Sequence, residues 1–216
     1  MAPVTGVLER KDTGFLGRTG RGNEEGDVTL YVIDQLECME LHLGVDEELT
    51  ESLWVRSKGR TGIGDIIVGV CYRLPKQEGQ VDEALYRQTV AASSSKGLVL
   101  MGDFNHPDTC WGDNTAGHKQ SRRFLEYIDD NFLLQVIEEP TRRGAMPDLV
   151  LINKEGLVEN VKLKGSLGCS DHAMVEFKIL RAARRVCSKL TAADFRRVDF
   201  GFFRDLLSRI PWDKSL

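Results

Sequence analysis

The chain has little of what marks a membrane-spanning, secreted or disulfide-built protein. A spanning helix needs roughly 20 consecutive apolar residues, and runs such as Ile66-Ile67-Val68-Gly69-Val70 fall far short of that. Residues 1–10 contain no basic stretch followed by an apolar one, so no secretory signal is read there, and residue 2 is not the glycine that myristoylation requires. The five cysteines (Cys38, Cys71, Cys110, Cys169, Cys187) are odd in number and form no CxxC. That argues against a disulfide framework and for a reducing, intracellular compartment. Neither glycine-rich string, residues 17–22 or 59–64, is followed by Gly-Lys-Ser/Thr, so neither is a P-loop cradling a nucleotide phosphate.

What is present suffices for a folded body. With 41% apolar and 29% charged side chains in 216 residues, one ordinary domain, or one with a short appendage, can bury a core, and wholesale disorder is excluded. The net charge of −4 is unevenly spread. Residues 178–216 carry ten Lys/Arg against four Asp/Glu, a net +6, which leaves 19 basic and 29 acidic side chains, −10, for the first 177. A basic tail behind an acidic body reads either as a nucleic-acid contact or as a solvated linker.

Residues 1–27, rich in glycine and charge and without apolar periodicity, are predicted to be a flexible lead. Strand-like runs rich in Val, Ile, Leu and aromatics follow at 28–33, 52–56, 65–72, 97–101, 133–137, 148–152, 158–163 and 174–180. The 59–64 string sits where a hairpin turn between the second and third of these belongs. Helical spacing is found at 82–92 and at 121–131, where Phe124, Leu125, Ile128 and Phe132 share a face. Many strands with few helices point to an α/β (α+β) sandwich rather than a Rossmann alternation. The expected organisation is a lead (1–27), a domain (28–180) and a basic helical linker (181–216).

Three clusters carry candidate chemistry. Gly102-Asp103-Phe104-Asn105 ends a buried run with a carboxylate and an amide two residues apart. Pro147-Asp148 puts an acid at the head of another, and Ser170-Asp171-His172 sets a carboxylate beside an imidazole. Singly, each has an ordinary structural explanation, since an Asp after a strand usually caps a turn. Together they supply what phosphodiester hydrolysis needs: a base oriented by an acid, and hard oxygen donors for a divalent cation. His106, Cys110 and His118 can be drawn as a zinc cluster, but they lack paired-ligand spacing. Trp111 in the same loop either stacks on a base or packs on the body.

In this order, the GDFN, PDLVL and SDH clusters resemble the endonuclease/exonuclease/phosphatase family. The similarity is greatest to the apurinic-type endonuclease domain of LINE (non-LTR) retrotransposons of the jockey and chicken-repeat group. Glu138-Glu139-Pro140-Thr141-Arg142, Cys71-Tyr72-Arg73 and Leu30-Tyr31-Val32 share in that likeness, which runs from about residue 8 to 180 and on into 194–212. The resemblance implies a four-layer αββα fold and an Mg²⁺-dependent (alternatively Mn²⁺-dependent) endonuclease that nicks DNA. It implies no membrane and no small-molecule cofactor, a reverse transcriptase downstream in the parent polyprotein, and a nuclear site of action.

Carried over, it makes His172 the group that contacts the scissile phosphate or activates water, with Asp148 orienting it. Asp103 handles a proton or the attacking water, Asn105 binds the phosphate, Tyr72 reaches it from its strand end, and Asp171 lies at or near the metal. Arg142 and Arg143 precede Asp148 and either touch the DNA backbone or are solvated. The family pattern opens with two further strands, bearing an Asn and a metal-binding Glu, upstream of where the likeness starts. Glu9, Glu24 and Glu25 follow no buried strand and are not read as substitutes. The chain is therefore expected to be an N-terminally truncated domain with weakened metal binding, either a nuclease or a non-catalytic remnant that at most binds nucleic acid weakly. A relative acting on a phosphoinositide or nucleotide is a third reading.

Overall fold

The computed structural model describes residues 4–8, 13–19, 28–33, 36–44, 47–59, 64–166 and 170–180. The chain divides into two units, Met1–Ala183 and Arg184–Leu216, and every described residue lies in the first. The expected linker at 181–216 lies outside the described residues.

In chain order the elements are β1 (Val4–Leu8), β2 (Thr13–Thr19), β3 (Val28–Ile33), β4 (Cys38–Glu40), β5 (Glu51–Ser57), β6 (Ile66–Tyr72), α1 (Gly79–Ser93), β7 (Gly97–Asp103), β8 (Thr109–Cys110), β9 (Thr115–Ala116), α2 (Lys119–Asp130), β10 (Leu134–Gln135), β11 (Asp148–Ile152), β12 (Val158–Ser166) and β13 (Ala173–Ile179). A six-stranded sheet in the order β10-β11-β7-β6-β5-β4 forms the centre; β1-β3-β2 and the hairpin β12-β13 form separate sheets.

The central strands are apolar without interruption because they are buried on both faces. All seven residues of β6 are buried. Alternation along each strand then sorts the side chains into two cores. Ile67, Leu98, Leu100, Leu149 and Leu151 face the helices, where Leu85, Tyr86 and Ala92 of α1 and Phe124 and Ile128 of α2 meet them. Their neighbours face the other way. Val70 and Tyr72 pack with Val28, Leu30 and Val32 of β3, while Val68, Val99, Val150 and Ile152 pack under the β12-β13 hairpin. Each fully buried aliphatic side chain contributes about 1.5–3 kcal/mol. Among the described residues the result is three layers: helices, central sheet, and outer strands. No helix among those residues is long and apolar enough to cross a membrane.

Two local features hold the sheet in place. Gly69 lies opposite Trp54, whose ring fills the space a side chain would take; a Cβ on Gly69 would sit 2.5 Å from Trp54 Cζ3. β6 and β7 run parallel, and α1 supplies the crossover that parallel neighbours require.

Val4–Leu8 and Thr13–Thr19 correct the expectation of a loop throughout 1–27. β1 pairs parallel to β3 and β2 antiparallel to it. Glycines and charges break their alternation in sequence, so the pairing partner rather than local propensity makes them strands. The remainder of 1–27 lies outside the described residues. The 133–137 run contributes only Leu134–Gln135, at the sheet edge. β5 and β6 form the expected hairpin, with Ser57 paired to Ile66.

α2 ends in a full Schellman motif: Leu133 N–H donates to Ile128 O at 3.0 Å and Phe132 N–H to Asp129 O at 3.1 Å. The residue in the left-handed position, usually glycine, is Phe132 (φ 53°), and its side chain is 84% exposed.

Candidate active site

β7 and β11 are antiparallel, and their register sets Asp103 directly opposite Asp148. Asp103 falls on the face of Val99 and Met101, and Asp148 on the face of Val150 and Ile152, so both carboxylates point toward the outer strands. Like charges placed opposite one another are unfavourable, and here the effect is on protonation. Burial, and after it the Asp148 carboxylate, push Asp103 up to about 6, against partial relief from the Asn105 N–H, His172 and Arg142.

The third member arrives on the hairpin. Ala173 N–H donates to Thr141 O at 2.7 Å, and Thr141 Oγ1 accepts from Asp148 N–H at 3.3 Å. The start of β13 is thereby tied beside the start of β11. His172 Nδ1 lies 2.9 and 3.0 Å from the two oxygens of Asp148, which fixes the proton on Nδ1 of the neutral ring. Nε2 is left facing Asp103 Oδ2 at 4.0 Å and Asp171 Oδ1 at 3.8 Å.

Asp103 serves two purposes. Its Oδ1 accepts the Asn105 N–H at 2.9 Å, an Asx-turn, while Oδ2 faces the imidazole. Gly102 permits this bend: its φ is 154°, and a Cβ would run into the Cys71 carbonyl. Phe104 points to the opposite side, 5.2 Å centroid to centroid from Phe124 of α2, and anchors the turn in the helix-side core.

Other expected site residues are placed as follows. Asn105, in the left-handed region (φ 48°), donates its side-chain N–H to Arg73 O at 2.6 Å. Tyr72 is paired in register with Asp103 and buried in the outer core. Asp171 lies beside His172, with Arg142 Nε at 3.0 Å and Arg143 Nη2 at 3.2 Å; Arg142 above all holds its carboxyl below the usual range.

The donors of Asp103, Asp148 and His172 all lie within 4.8 Å of one another. Two crowded carboxylates with an imidazole fit a divalent cation, whose charge would offset both the burial and the Asp148 repulsion that raise Asp103. The zinc arrangement is not formed. His106 Nδ1 is 3.1 Å from Ser121 Oγ, His118 Nδ1 is 2.9 Å from Asp108, and Cys110 Sγ points to Asp113. Trp111 packs against the helix-side core.

Sequence reasoning missed Arg73. Its side chain is fully buried, with Nε and Nη2 on the two oxygens of Asp82 at 2.8 and 3.1 Å. Gln77 also donates to Asp82 at 2.8 Å, and Arg73 N–H donates to Asp103 O at 2.8 Å. This ion pair braces the turn that carries Asp103 and Asn105. No periodicity links position 73 to 82, and an Arg before Leu-Pro reads as a surface loop.

Residues 66–176 match the model of a protein family described as endonuclease-reverse transcriptase, over half of the chain and including every residue of the site. No curated protein sequence matches the chain. Among solved structures, the endonuclease domain of TRAS1, a telomere-specific non-LTR retrotransposon, is similar in fold. Its TM-score is 0.56 and its identity 18%, over 77% of this chain and 77% of that one. This bears out the α/β sandwich. The inositol polyphosphate 5-phosphatase domain of SPsynaptojanin, in complex with inositol (1,4)-bisphosphate and calcium ion, has a TM-score of 0.39 and 14% identity over 65% of this chain and 52% of that one.

Proposed function

Because the chain belongs to the endonuclease–reverse transcriptase family, we propose that its Asp103–Asp148–His172 site hydrolyses DNA phosphodiester bonds with a divalent cation, Mg²⁺ or Mn²⁺, within a retrotransposon polyprotein. The observation that carries this reading is His172, held through Nδ1 by Asp148 and presenting Nε2 toward Asp103.

Asp148 fixes the tautomer and orientation of the imidazole. His172 Nε2, which carries no proton in that tautomer, then accepts a hydrogen bond from the attacking water and orients it. Asp103, whose Oδ2 faces that nitrogen at 4.0 Å, takes the proton of the attacking water. Asn105 and Tyr72 flank the phosphate from the turn and the adjacent strand end, and Arg142 and Arg143 meet the DNA backbone. Asp103 and Asp148 are the oxygen donors that would hold the cation, which when bound neutralises charge building on the phosphate.

The test is nicking of supercoiled plasmid with Mg²⁺ or Mn²⁺, with EDTA as the blank and His172→Ala and Asp103→Ala alongside. Nicking by the parent and a loss of about 10²-fold or more in each variant is expected. If the variants nick as well as the parent, the assignments are wrong. Salt-sensitive DNA binding without cleavage under either metal would leave a binding module in place of an enzyme.

A further inference from the structure

The arginine turn beside the site is built with more positive charge than its partner can match. Arg142 N–H donates to Ala145 O at 3.1 Å and Ala145 N–H to Arg142 O at 2.8 Å. With positive φ at Arg143 (47°) and Gly144 (85°), this is the two-residue turn of a tight hairpin. It directs both guanidinium groups onto a single oxygen, Oδ2 of Asp171. The other oxygen of Asp171 faces His172 Nε2. Two cations thus share one carboxylate. Asp103 and Asp148, the remaining acids of the site, are oriented to the imidazole. The cluster is also open to solvent: the side chains of Arg142, Arg143 and Asp171 are 33%, 80% and 34% exposed.

Resting on the nuclease reading above, we propose that the Arg142–Arg143 turn is a phosphate clamp whose resting counter-ion is Asp171, and that a DNA backbone phosphate exchanges with that carboxylate. Guanidinium forks bind phosphate with two parallel hydrogen bonds, so the incoming group satisfies donors that one carboxylate oxygen leaves under-used. The displaced Asp171 carboxylate is released beside His172, Asp103 and Asp148, and the acids available to a divalent cation rise from two to three as DNA arrives. Binding of DNA and of cation is thereby coupled, and the coupling is reciprocal.

The exchange is tested in EDTA, where no cleavage occurs, by fluorescence anisotropy with a labelled DNA duplex. Asp171→Asn should tighten DNA binding about two- to fivefold, the factor matching a partly exposed ion pair. Arg142→Ala/Arg143→Ala should weaken it, and adding Asp171→Asn to that double variant should bring no gain. Equal tightening in both backgrounds would reduce the effect to general charge and overturn the exchange, as would absence of DNA binding in every variant.

A second measurement reads the released carboxylate directly. By electron paramagnetic resonance, DNA-free Arg142→Ala/Arg143→Ala should bind Mn²⁺ more tightly than the parent, by a similar factor, and unchanged affinity would overturn the coupling. Thermal melts confirm that each variant is folded. Plasmid nicking by the parent decides the nuclease reading separately: a chain that nicks but shows equal tightening in both backgrounds keeps its function and loses the clamp.

Discussion

Replacing Asp103 by Asn should make the protein more stable while abolishing its chemistry. In the native state the carboxyl is 2% exposed and its affinity for a proton is raised from 3.8 to about 6. The folded chain therefore binds that proton more tightly than the unfolded chain does. The resulting stabilisation is complete below about pH 4 and is lost as pH rises through about 6; above that, ionised Asp103 costs the fold about 3 kcal/mol. Asn removes the charge yet keeps an oxygen for the Asn105 N–H and places an amide donor toward His172 Nε2. Exchanging a charged acceptor for a neutral one returns about 1 kcal/mol of the gain. The net expectation is about 2 kcal/mol of added stability at pH 8, shrinking to little at pH 4. Urea unfolding of parent and Asp103→Asn in EDTA at the two pH values measures it. A variant less stable than the parent at pH 8, or a difference that does not change with pH, would refute the argument.

Arg73→Met should cost about 3–5 kcal/mol, because Asp82 is left charged and buried, and Arg73→Met/Asp82→Leu should recover most of that loss; urea midpoints of the two variants decide it. Phe132→Gly should raise stability by about 0.5–1 kcal/mol, the left-handed penalty of a side chain less the backbone entropy of glycine, read as a higher melting temperature. Gly69→Ala should lower stability by about 1–3 kcal/mol, because its methyl meets the Trp54 ring, again read by thermal melting.

The sequence makes the centre of the sheet legible. Runs such as 65–72 and 148–152 are apolar because both faces are covered, and that signal survives without knowledge of the partner strand. α2 is equally plain, since Phe124, Leu125 and Ile128 keep helical spacing against a polar remainder. β1 and β2 are not legible: Thr13–Thr19 is held by its ladder to β3 and has no strand signature of its own. In the site, the sequence marks Asp103, Asp148 and His172 as candidates, but only the antiparallel register puts the two acids opposite each other. The bond from Asp148 to His172 depends on the docking of a hairpin whose position no local pattern encodes. The Arg73–Asp82 and Arg142–Asp171 pairs escaped notice because long-range ion pairs leave no periodic trace.

The register of β7 on β11 also bears on when the site comes into being. β5, β6, α1 and β7 are contiguous in the chain and can associate early, which delivers Asp103 alone. Asp148 joins only when β11 closes on β7, and His172 only when the β12-β13 hairpin docks. Among the described residues, no single hairpin or strand–helix–strand unit carries all three donors, so the set is assembled only when β11 and the hairpin have both docked. A cation that recognises only the closed arrangement fastens the hairpin to the body. Added Mg²⁺ or Mn²⁺ should then slow hydrogen exchange along β13, and exchange that does not change would count against that coupling.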